Sequence, residues 1–487
     1  MSGTSYLNIV KSTFLFGFVQ VFRAVSGVVK NKLLAVLVGP EGTGLVSVFT
    51  TASDMIKIGA GLGVSQSTVR DISDAYSKGD VNHVTKILSV SQRLFKMTGL
   101  LGCLFTLLFS SNLSRWMLKS EDYTLHFSIL SIYVFFSIIT EGQYSVLTGM
   151  RKLKDLAKAN LFGISVGLVT SVPLYYVYGM SGIIPSFLLS SIAVFGVSWY
   201  YVRKYQFNSC KITWDDFFLS ASPMLKMGIS LMLVSFLHTI VAFIITSYIG
   251  SHGGLNVVGY YGAGTIITNA YFGIIITALS TDYFPRISSV ISDNQKLKDE
   301  LNKQSSVSLV MVFPLILIFI FFMPLFVEII YSDEYFHSLD YLKYAIYGTL
   351  ITICSNQVDM ILVAKYEIKL FMIISVVFRV LQLVLSILLF KNYSLEGLGF
   401  AVMIMGILHL ITMTISVKKL YNVSFDKFFI KLFFVVSMFT VLASIISTLS
   451  NVYMKYCIGT ILILFSLFFS LYIMKKKFAI SVIKFIK

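Results

Sequence analysis

The stretch that decides the fold is Phe14–Pro40, FLFGFVQVFRAVSGVVKNKLLAVLVGP. About 20 apolar residues suffice to cross a bilayer as a helix, and this run is longer. It nevertheless contains three cations, Arg23, Lys30 and Lys32. Each cation costs roughly 2.5–3.5 kcal/mol at the bilayer centre on insertion scales. We therefore expect part of this helix to face water or a negative charge rather than lipid.

The composition predicts an all-α polytopic membrane protein. Of the 487 residues, 56% are hydrophobic and 13% charged, and the mean hydropathy is +0.82. Long uninterrupted apolar runs favour transmembrane helices over a β-barrel, whose strands alternate. We expect about 14 spans with short connections, at residues 8–38, 42–69, 84–110, 124–148, 156–178, 182–202, 224–250, 256–282, 305–331, 338–364, 367–390, 396–417, 428–449 and 453–474.

The basic residues predict the topology. Of the 39 Lys and Arg residues, 26 fall in the loops after even-numbered spans or in the C-terminal tail, and only five fall on the opposite side. This asymmetry places both termini of a polytopic inner-type membrane protein in the cytoplasm. The net charge of +16 then reflects topology, so we expect no nucleic-acid partner. The four cysteines are far apart, and we predict neither metal nor cofactor.

An internal repeat is visible at a constant offset of 215 residues, which is the separation of Gly39 and Gly254. The same offset relates Gly44 to Gly259, Lys154 to Lys369, Tyr178 to Tyr393 and Gly182 to Gly397. An even number of spans per copy gives both copies the same orientation, as in parallel transporter repeats. We predict two six-helix lobes, residues 1–205 and residues 206–420, the second beginning with an interfacial helix. Residues 421–487 would supply another interfacial stretch and spans 13 and 14.

The intramembrane charges indicate a transporter rather than an enzyme. The sequence contains no P-loop, no zinc-protease or serine-hydrolase motif and no long loop for an active site. Ionisable residues at membrane depth usually line a cavity or a transport path. Arg23 and Lys30 share one helix face because they are two turns apart. The candidate ligands for an anionic substrate such as pyrophosphate, held between the lobes, are Arg23, Lys30, Lys57, Arg93 and Arg379.

Three acidic residues lie near mid-span. Asp54, Glu141 and Asp359 are candidates for coupling-ion binding or for pairing with the cations. Asp54 and Lys57 are three residues apart, so mutual neutralisation is an equal alternative. Arg93 could equally extend toward cytoplasmic headgroups.

Short motifs then point to a known family. Lys32–Val36 (KLLAV) precedes Gly39-Pro40 and Gly42, and further motifs are Ile58–Gly61 (IGAG), Pro285–Ser288 (PRIS), Leu362–Lys365 (LVAK) and Lys369–Phe371 (KLF). In these motifs residues 5–420 resemble the O-antigen and enterobacterial-common-antigen flippases of the Wzx type. Those proteins belong to the multidrug/oligosaccharidyl-lipid/polysaccharide (MOP) superfamily, which also contains the MATE transporters.

The resemblance implies a V-shaped, MATE-like pair of bundles that alternates between inward-open and outward-open states. The implied substrate is an undecaprenyl-pyrophosphate-linked oligosaccharide, with membrane lipids, a proton or other ion, and a polysaccharide polymerase as further partners. Arg23 and Lys30 stand where lumen-lining cations are expected. The predicted spans 13 and 14 have no equivalent in the twelve-span relatives. A lipid II-type flippase is therefore an alternative function. A multidrug/cation antiporter and a membrane enzyme of glycan assembly are two further hypotheses.

Overall fold

A computed structural model describes residues 3–205, 212–273, 283–284 and 286–478, and in these ranges the chain is helical without strands. The longer helices are α1 (Gly3–Gly61), α2 (Val64–Ser77), α3 (Val81–Leu108), α4 (Ser110–Leu118), α5 (Thr124–Gly149), α6 (Leu153–Tyr178), α7 (Ile183–Arg203), α8 (Trp214–Thr265), α9 (Asn294–Ile330), α10 (Ser338–Ala364), α11 (Ile368–Tyr421), α12 (Lys427–Ser447) and α13 (Val452–Phe478). Short 3₁₀ helices at Gly179–Gly182 and Asp333–His337 and a π-helical turn at Ile266–Tyr271 complete the secondary structure. The predicted all-α membrane fold is confirmed.

Three of these helices contain a sharp break. The backbone leaves helical geometry at Gly39 in α1, at Gly254 in α8 and at Ser394 in α11. In the described ranges nine helical segments are long and apolar enough to span a membrane, and four of them contain 43–56 residues. A single crossing needs only about 20 residues, so each of these four has the length for two crossings. The count of 14 spans stays a prediction.

The backbone repeats at the same offset as the sequence. Positive φ angles occur at Gly39 and Gly254 (65° and 83°), at Arg151 and Tyr366 (55° and 61°), and at Gly179 and Ser394 (54° and 50°). The members of all three pairs are separated by the repeat offset. Positive φ is rare outside glycine, so a matched set of this kind is informative. The two copies therefore share local geometry at their turns.

The chain divides into two compact units, Met1–Gly259 (unit 1) and Tyr260–Lys487 (unit 2). In unit 1, α3 and α7 pack on α5, and α6 packs on α7 and on α1. In unit 2, α10 packs along α11, while α9 packs on α12 and α13. Unit 1 also includes most of α8. The three predicted domains stay predictions.

Two glycines of unit 1 make a reciprocal close contact. A Cβ on Gly44 would overlap the carbonyl oxygen of Leu255, and a Cβ on Gly259 would overlap that of Pro40. Gly259 is the repeat counterpart of Gly44, and Leu255 is the counterpart of Pro40, so the two contacts are equivalent. Only residues without a side chain permit such backbone approach. The helix after the Gly39 break therefore meets the end of α8 through equivalent surfaces.

The second predicted span ends earlier than expected. Its apolar run extends to residue 69, but α1 ends at Gly61 and a new helix begins at Val64. Gly63 adopts φ 65°, and a Cβ there would overlap the backbone of Gly228. The helix is interrupted where α8 crosses it closely, which is a contact distant in sequence.

Candidate functional site

One face of α5 is polar in the middle and towards the C-terminal end of the helix. Tyr133, Ser137, Thr140, Glu141 and Tyr144 recur at the spacing of helix turns along this face. All five line a cavity of about 530 Å³ inside unit 1. A polar stripe on a membrane helix must face an interior, because lipid cannot satisfy its hydrogen bonds.

The opposite wall of this cavity comes from α1 and contains its cations. Arg23, Lys30 and Lys57 all line the cavity, with Gly27 and Ser26 between the first two. The side chains of Arg23 and Lys30 keep accessible surface, while Ser26 between them is buried. The structure thus brings together three of the predicted ligands and Glu141. Helices α6 and α7 close the remaining sides through small and apolar residues.

Contacts from α6 fix the geometry of the Arg23 wall. The Arg23 guanidinium donates a hydrogen bond to Asn160 Oδ1 (3.4 Å), and Asn160 Nδ2 is held by the Leu156 carbonyl (2.9 Å). A Cβ at Gly163 would lie 3.2 Å from the Tyr144 hydroxyl, so α6 and α5 approach closely at this level. Arg23 is therefore positioned by a neutral amide rather than neutralised by a carboxylate.

The charges in the cavity are partly balanced. Lys57 Nζ and Asp54 Oδ1 are 2.8 Å apart, which is the i,i+3 pairing that the sequence offered as an alternative. Neither Arg23 nor Lys30 is within 4 Å of a carboxylate in the described part of the chain, and the same is true of Glu141 toward any cation. The basic excess comes from these two α1 residues, which makes an anion the favoured guest.

The hydroxyl groups were not predicted as ligands. Thr140 Oγ1 is buried in the cavity wall and has no hydrogen-bond partner among the described residues. Tyr133 and Tyr144, with Ser190 and Ser191 of α7, also line the cavity. The helical spacing of polar residues on α5 was the available signal, but attention to charge alone overlooked it. Such hydroxyls can donate and accept hydrogen bonds.

Arg93 lies apart from the cavity. Its guanidinium stacks on Trp214 at 4.6 Å and on Phe217 at 5.2 Å, and it donates to the Ile212 carbonyl at 3.5 Å. This arrangement anchors the beginning of α8 against α3. A role for Arg93 in substrate binding stays a prediction.

Two other predicted site residues, Asp359 and Arg379, lie in unit 2 near His409, which was not predicted, and the three residues form a cluster. His409 Nε2 is 3.8 Å from Asp359 Oδ1, and that oxygen has no hydrogen-bond partner in the described ranges. Arg379 donates to Gln382 Oε1 at 2.8 Å and lies within electrostatic range of His409. The cluster combines an acid, a base and a fixed cation at membrane depth, a combination typical of ion or proton binding.

Family models match most of the chain. A model described as polysaccharide biosynthesis protein matches residues 33–340, and one described as lipid II flippase MurJ matches residues 213–469. A Shigella flexneri protein described as a putative O-antigen transporter is 25% identical over 310 residues, covering 61% of this chain and 70% of that protein.

Solved structures agree on the fold. Lipid II flippase MurJ in an inward closed conformation has a TM-score of 0.73 at 15% identity, with 97% of this chain and 100% of that chain covered. An inward-facing multidrug resistance MATE family transporter has a TM-score of 0.66 at 16% identity, covering 83% and 96% of the two chains. The related proteins are transporters, as the lack of catalytic motifs predicted. The chain therefore belongs to the polysaccharide biosynthesis protein family, as a Wzx-type membrane transporter with the MOP fold.

Proposed function

We propose that this transporter flips an undecaprenyl-pyrophosphate-linked oligosaccharide, an O-antigen or related unit, from the cytoplasmic to the periplasmic leaflet of a bacterial inner membrane. The observation that carries the proposal is the unit 1 cavity, in which two cations without carboxylate partners in the described ranges face a wall of hydroxyls. Its family and its Shigella flexneri relative support transport of a polysaccharide precursor.

The two walls suit the two parts of such a head group. Arg23 can bind a phosphate oxygen pair through its planar fork, and Lys30 supplies a second charge two turns along the same helix face. The hydroxyls of α5 and α7 match sugar hydroxyls, which need both donors and acceptors. The polyprenyl tail would stay in lipid during the crossing, so only the polar head needs a path.

Coupling is proposed to involve the unit 2 cluster. Asp359 and His409 supply groups that can exchange a proton or bind a cation, and Arg379 lies within electrostatic range of His409. Binding there would bias the alternating-access equilibrium if the two states differ in affinity for the ion. The contribution of Arg379 to one cavity shared by both lobes stays a prediction.

A lipid II-type flippase is the second candidate. It is favoured by the match of residues 213–469 to the MurJ family model and by helices α12 and α13, which pack against α9. The cation antiporter is disfavoured by the cavity lining, which contains three basic residues and one acidic residue. A cation carrier would require the reverse balance.

The test is replacement of Arg23 in a strain that depends on this chain for surface glycan. Arg23→Ala should lower surface glycan by about 10- to 100-fold, the effect of losing a charged hydrogen-bond donor. Arg23→Lys keeps the charge without the fork and should be intermediate. Lys391→Ala, which removes an exposed cation outside the cavity, should leave glycan unchanged.

Surface glycan is measured by immunoblot and the amount of each variant by membrane fractionation. Normal glycan with Arg23→Ala at normal abundance would contradict the role of the cavity. Rescue of a strain depleted of its lipid II flippase, without any effect on O-antigen, would favour the second candidate.

A further inference from the structure

Unit 1 contains a second cavity, on the other side of α5 from the first. Its volume is about 680 Å³, and its walls come from α3, α5 and α7. Glu141 lines the first cavity, whereas the next two residues, Gly142 and Gln143, line this one. The two sites are therefore separated by the width of one helix, and the substrate site does not account for the second cavity.

The lining of the second cavity is basic and aromatic. Lys96 and Arg203 contribute cations, Trp199 and Tyr205 contribute rings, and the described lining contains no acidic residue. In the described ranges neither cation lies within 4 Å of a carboxylate. Arg203 stacks on Trp199 at 4.9 Å, which holds the guanidinium at the end of α7.

A carboxylate close to this cavity is already engaged. Asp155 accepts a hydrogen bond from the Tyr205 hydroxyl and lies 3.8 Å from Lys204 Nζ. Lys204 thus balances Asp155, and the charges of Lys96 and Arg203 stay available for an external anion. Two cations beside aromatic rings at a membrane surface are suited to a phosphate group.

The cavity-lining face of α3 continues beyond Lys96 as an exposed apolar stripe. Leu100 and Leu107 follow Lys96 by about one and three helix turns on that face, and Leu104 lies beside them. Leu100, Leu104 and Leu107 are 53%, 47% and 47% exposed. The stripe therefore begins next to the cavity.

The depth of the cavity matches a lipid rather than a surface ion. Thr85 and Lys96 line it at positions three turns apart on α3, which corresponds to a distance of about 16 Å along the helix. The cavity therefore runs from the end of α7, at the predicted cytoplasmic surface, toward the start of the apolar stripe. A phosphate held by Arg203 and Lys96 would leave acyl chains aligned with that stripe.

We propose that this cavity binds an anionic glycerophospholipid of the cytoplasmic leaflet, with its phosphate between Lys96 and Arg203 and its acyl chains along α3. This lipid site is additional to the transport function. Its occupancy does not depend on which substrate the first cavity carries. Phosphate is the shared chemistry of a lipid headgroup and of a free ion, and the experiment separates the two.

The test is native mass spectrometry of the full-length protein purified with phosphatidylglycerol, phosphatidylcholine or inorganic phosphate. The unmodified protein should retain phosphatidylglycerol preferentially, and Lys96→Met/Arg203→Gln should weaken retention roughly 30-fold, the combined effect of two basic side chains at an anionic surface. Lys418→Gln/Lys419→Gln removes the same charge on the corresponding side of the repeat and should not change retention. Lys96→Met alone is a milder variant, because the counterpart Met311 is itself exposed.

Three results would overturn the proposal. One is equal retention of phosphatidylglycerol and phosphatidylcholine by the unmodified protein. Another is unchanged retention in the double variant or, if that variant does not fold, in Lys96→Met. The third is displacement of the lipid by millimolar inorganic phosphate, with phosphate itself retained, which would make the site an ion site. Surface glycan tests the first cavity separately, so failure here does not bear on the proposed transport.

Discussion

The first cavity of unit 1, which contains Arg23 and Lys30, and the charged cluster of unit 2 occupy equivalent positions of the repeat but differ in chemistry. Three cavity-lining residues and their counterparts in the second copy form the pairs Tyr144 and Asp359, Ile164 and Arg379, and Val194 and His409. The counterparts are the members of the unit 2 cluster. One backbone plan thus supports a polar cavity in one copy and an acid–base cluster in the other.

The cations of α1 also differ between the two copies, but here the first copy has the basic residues. Arg23, Lys30 and Lys57 correspond to His238, Ile245 and Phe272. At these positions the excess of positive charge is confined to the first copy, where the hydroxyl wall of α5 faces it. Because the local geometry is shared, side chains alone produce the difference. The two proposed tasks, holding an anion and binding a coupling ion, should then be separable by mutation.

The largest expected effect comes from removing the acid of the unit 2 cluster. Asp359→Asn should abolish the response of transport to an ion gradient and reduce flux about tenfold or more, because the side chain beside His409 can then no longer exchange a proton or hold a cation. Tyr144→Phe, at the equivalent position of unit 1, should keep the gradient response. Flux is measured in proteoliposomes with and without a proton or sodium gradient. An unchanged gradient response in Asp359→Asn would contradict the proposed role of the unit 2 cluster in binding the coupling ion.

A smaller effect is expected from the reciprocal glycine contact. Gly44→Ala and Gly259→Ala each place a methyl group against a backbone oxygen, so each should destabilise the protein by about 1–3 kcal/mol. The effects should be similar because the contacts are equivalent. Gly196→Ala is the control, since a Cβ there meets no described atom within 4 Å. Thermal unfolding in detergent checks this, and strongly unequal losses would show that the equivalence is only geometric.

The smallest effect concerns a tyrosine–carboxylate contact present in each unit. The hydroxyls of Tyr205 and Tyr421 donate to Asp155 and Glu367. Lys152 and Lys365 each lie 4.8 Å from the respective tyrosine ring. Tyr205→Phe and Tyr421→Phe should each cost about 0.5–1.5 kcal/mol, as for one hydrogen bond. Thermal unfolding in detergent measures both losses, and a loss in only one variant would show that the contact stabilises only one of the two units.

The unit 1 tyrosine, which lies beyond the end of α7, gives a pH dependence. Burial, together with the bond to a carboxylate, raises the pKa of Tyr205 to about 12. Since the folded-state pKa is raised, the stabilisation is complete below the ordinary value of about 10 and is lost as pH rises through about 12. Thermal unfolding between neutral pH and about pH 11 should show a loss of stability that is smaller in Tyr205→Phe than in the unmodified protein. An identical loss of stability in the two proteins would show that Tyr205 does not contribute to the pH dependence.

Much of this comparison was accessible from the sequence because it depends on local signals. Gly39 and Gly254 marked the breaks of α1 and α8, and the spacing of Arg23 and Lys30 placed both on one face. The pairing of Asp54 with Lys57 followed from their separation on one helix. These features need only helix geometry and the preference of charges for an interior.

Features that depend on several helices were not predicted. The approach of His409 to Asp359 joins α11 to α10, and the stacking of Arg93 on Trp214 joins α3 to α8. The end of α1 at Gly61 depends on Gly228, far along the chain. A hydropathy pattern records which residues avoid water, but it does not record which helices become neighbours.

Ser394 bears on the history of the molecule. It adopts φ 50° and ψ −131°, a conformation that suits glycine, and its counterpart Gly179 adopts φ 54° and ψ −129°. Ser394 thus holds a side chain in a torsion that suits glycine, at a cost of order 1–3 kcal/mol. Duplication and fusion of a single ancestral segment is the simplest origin for such a match. The two copies share this backbone torsion, although only one of them has the residue type that favours it.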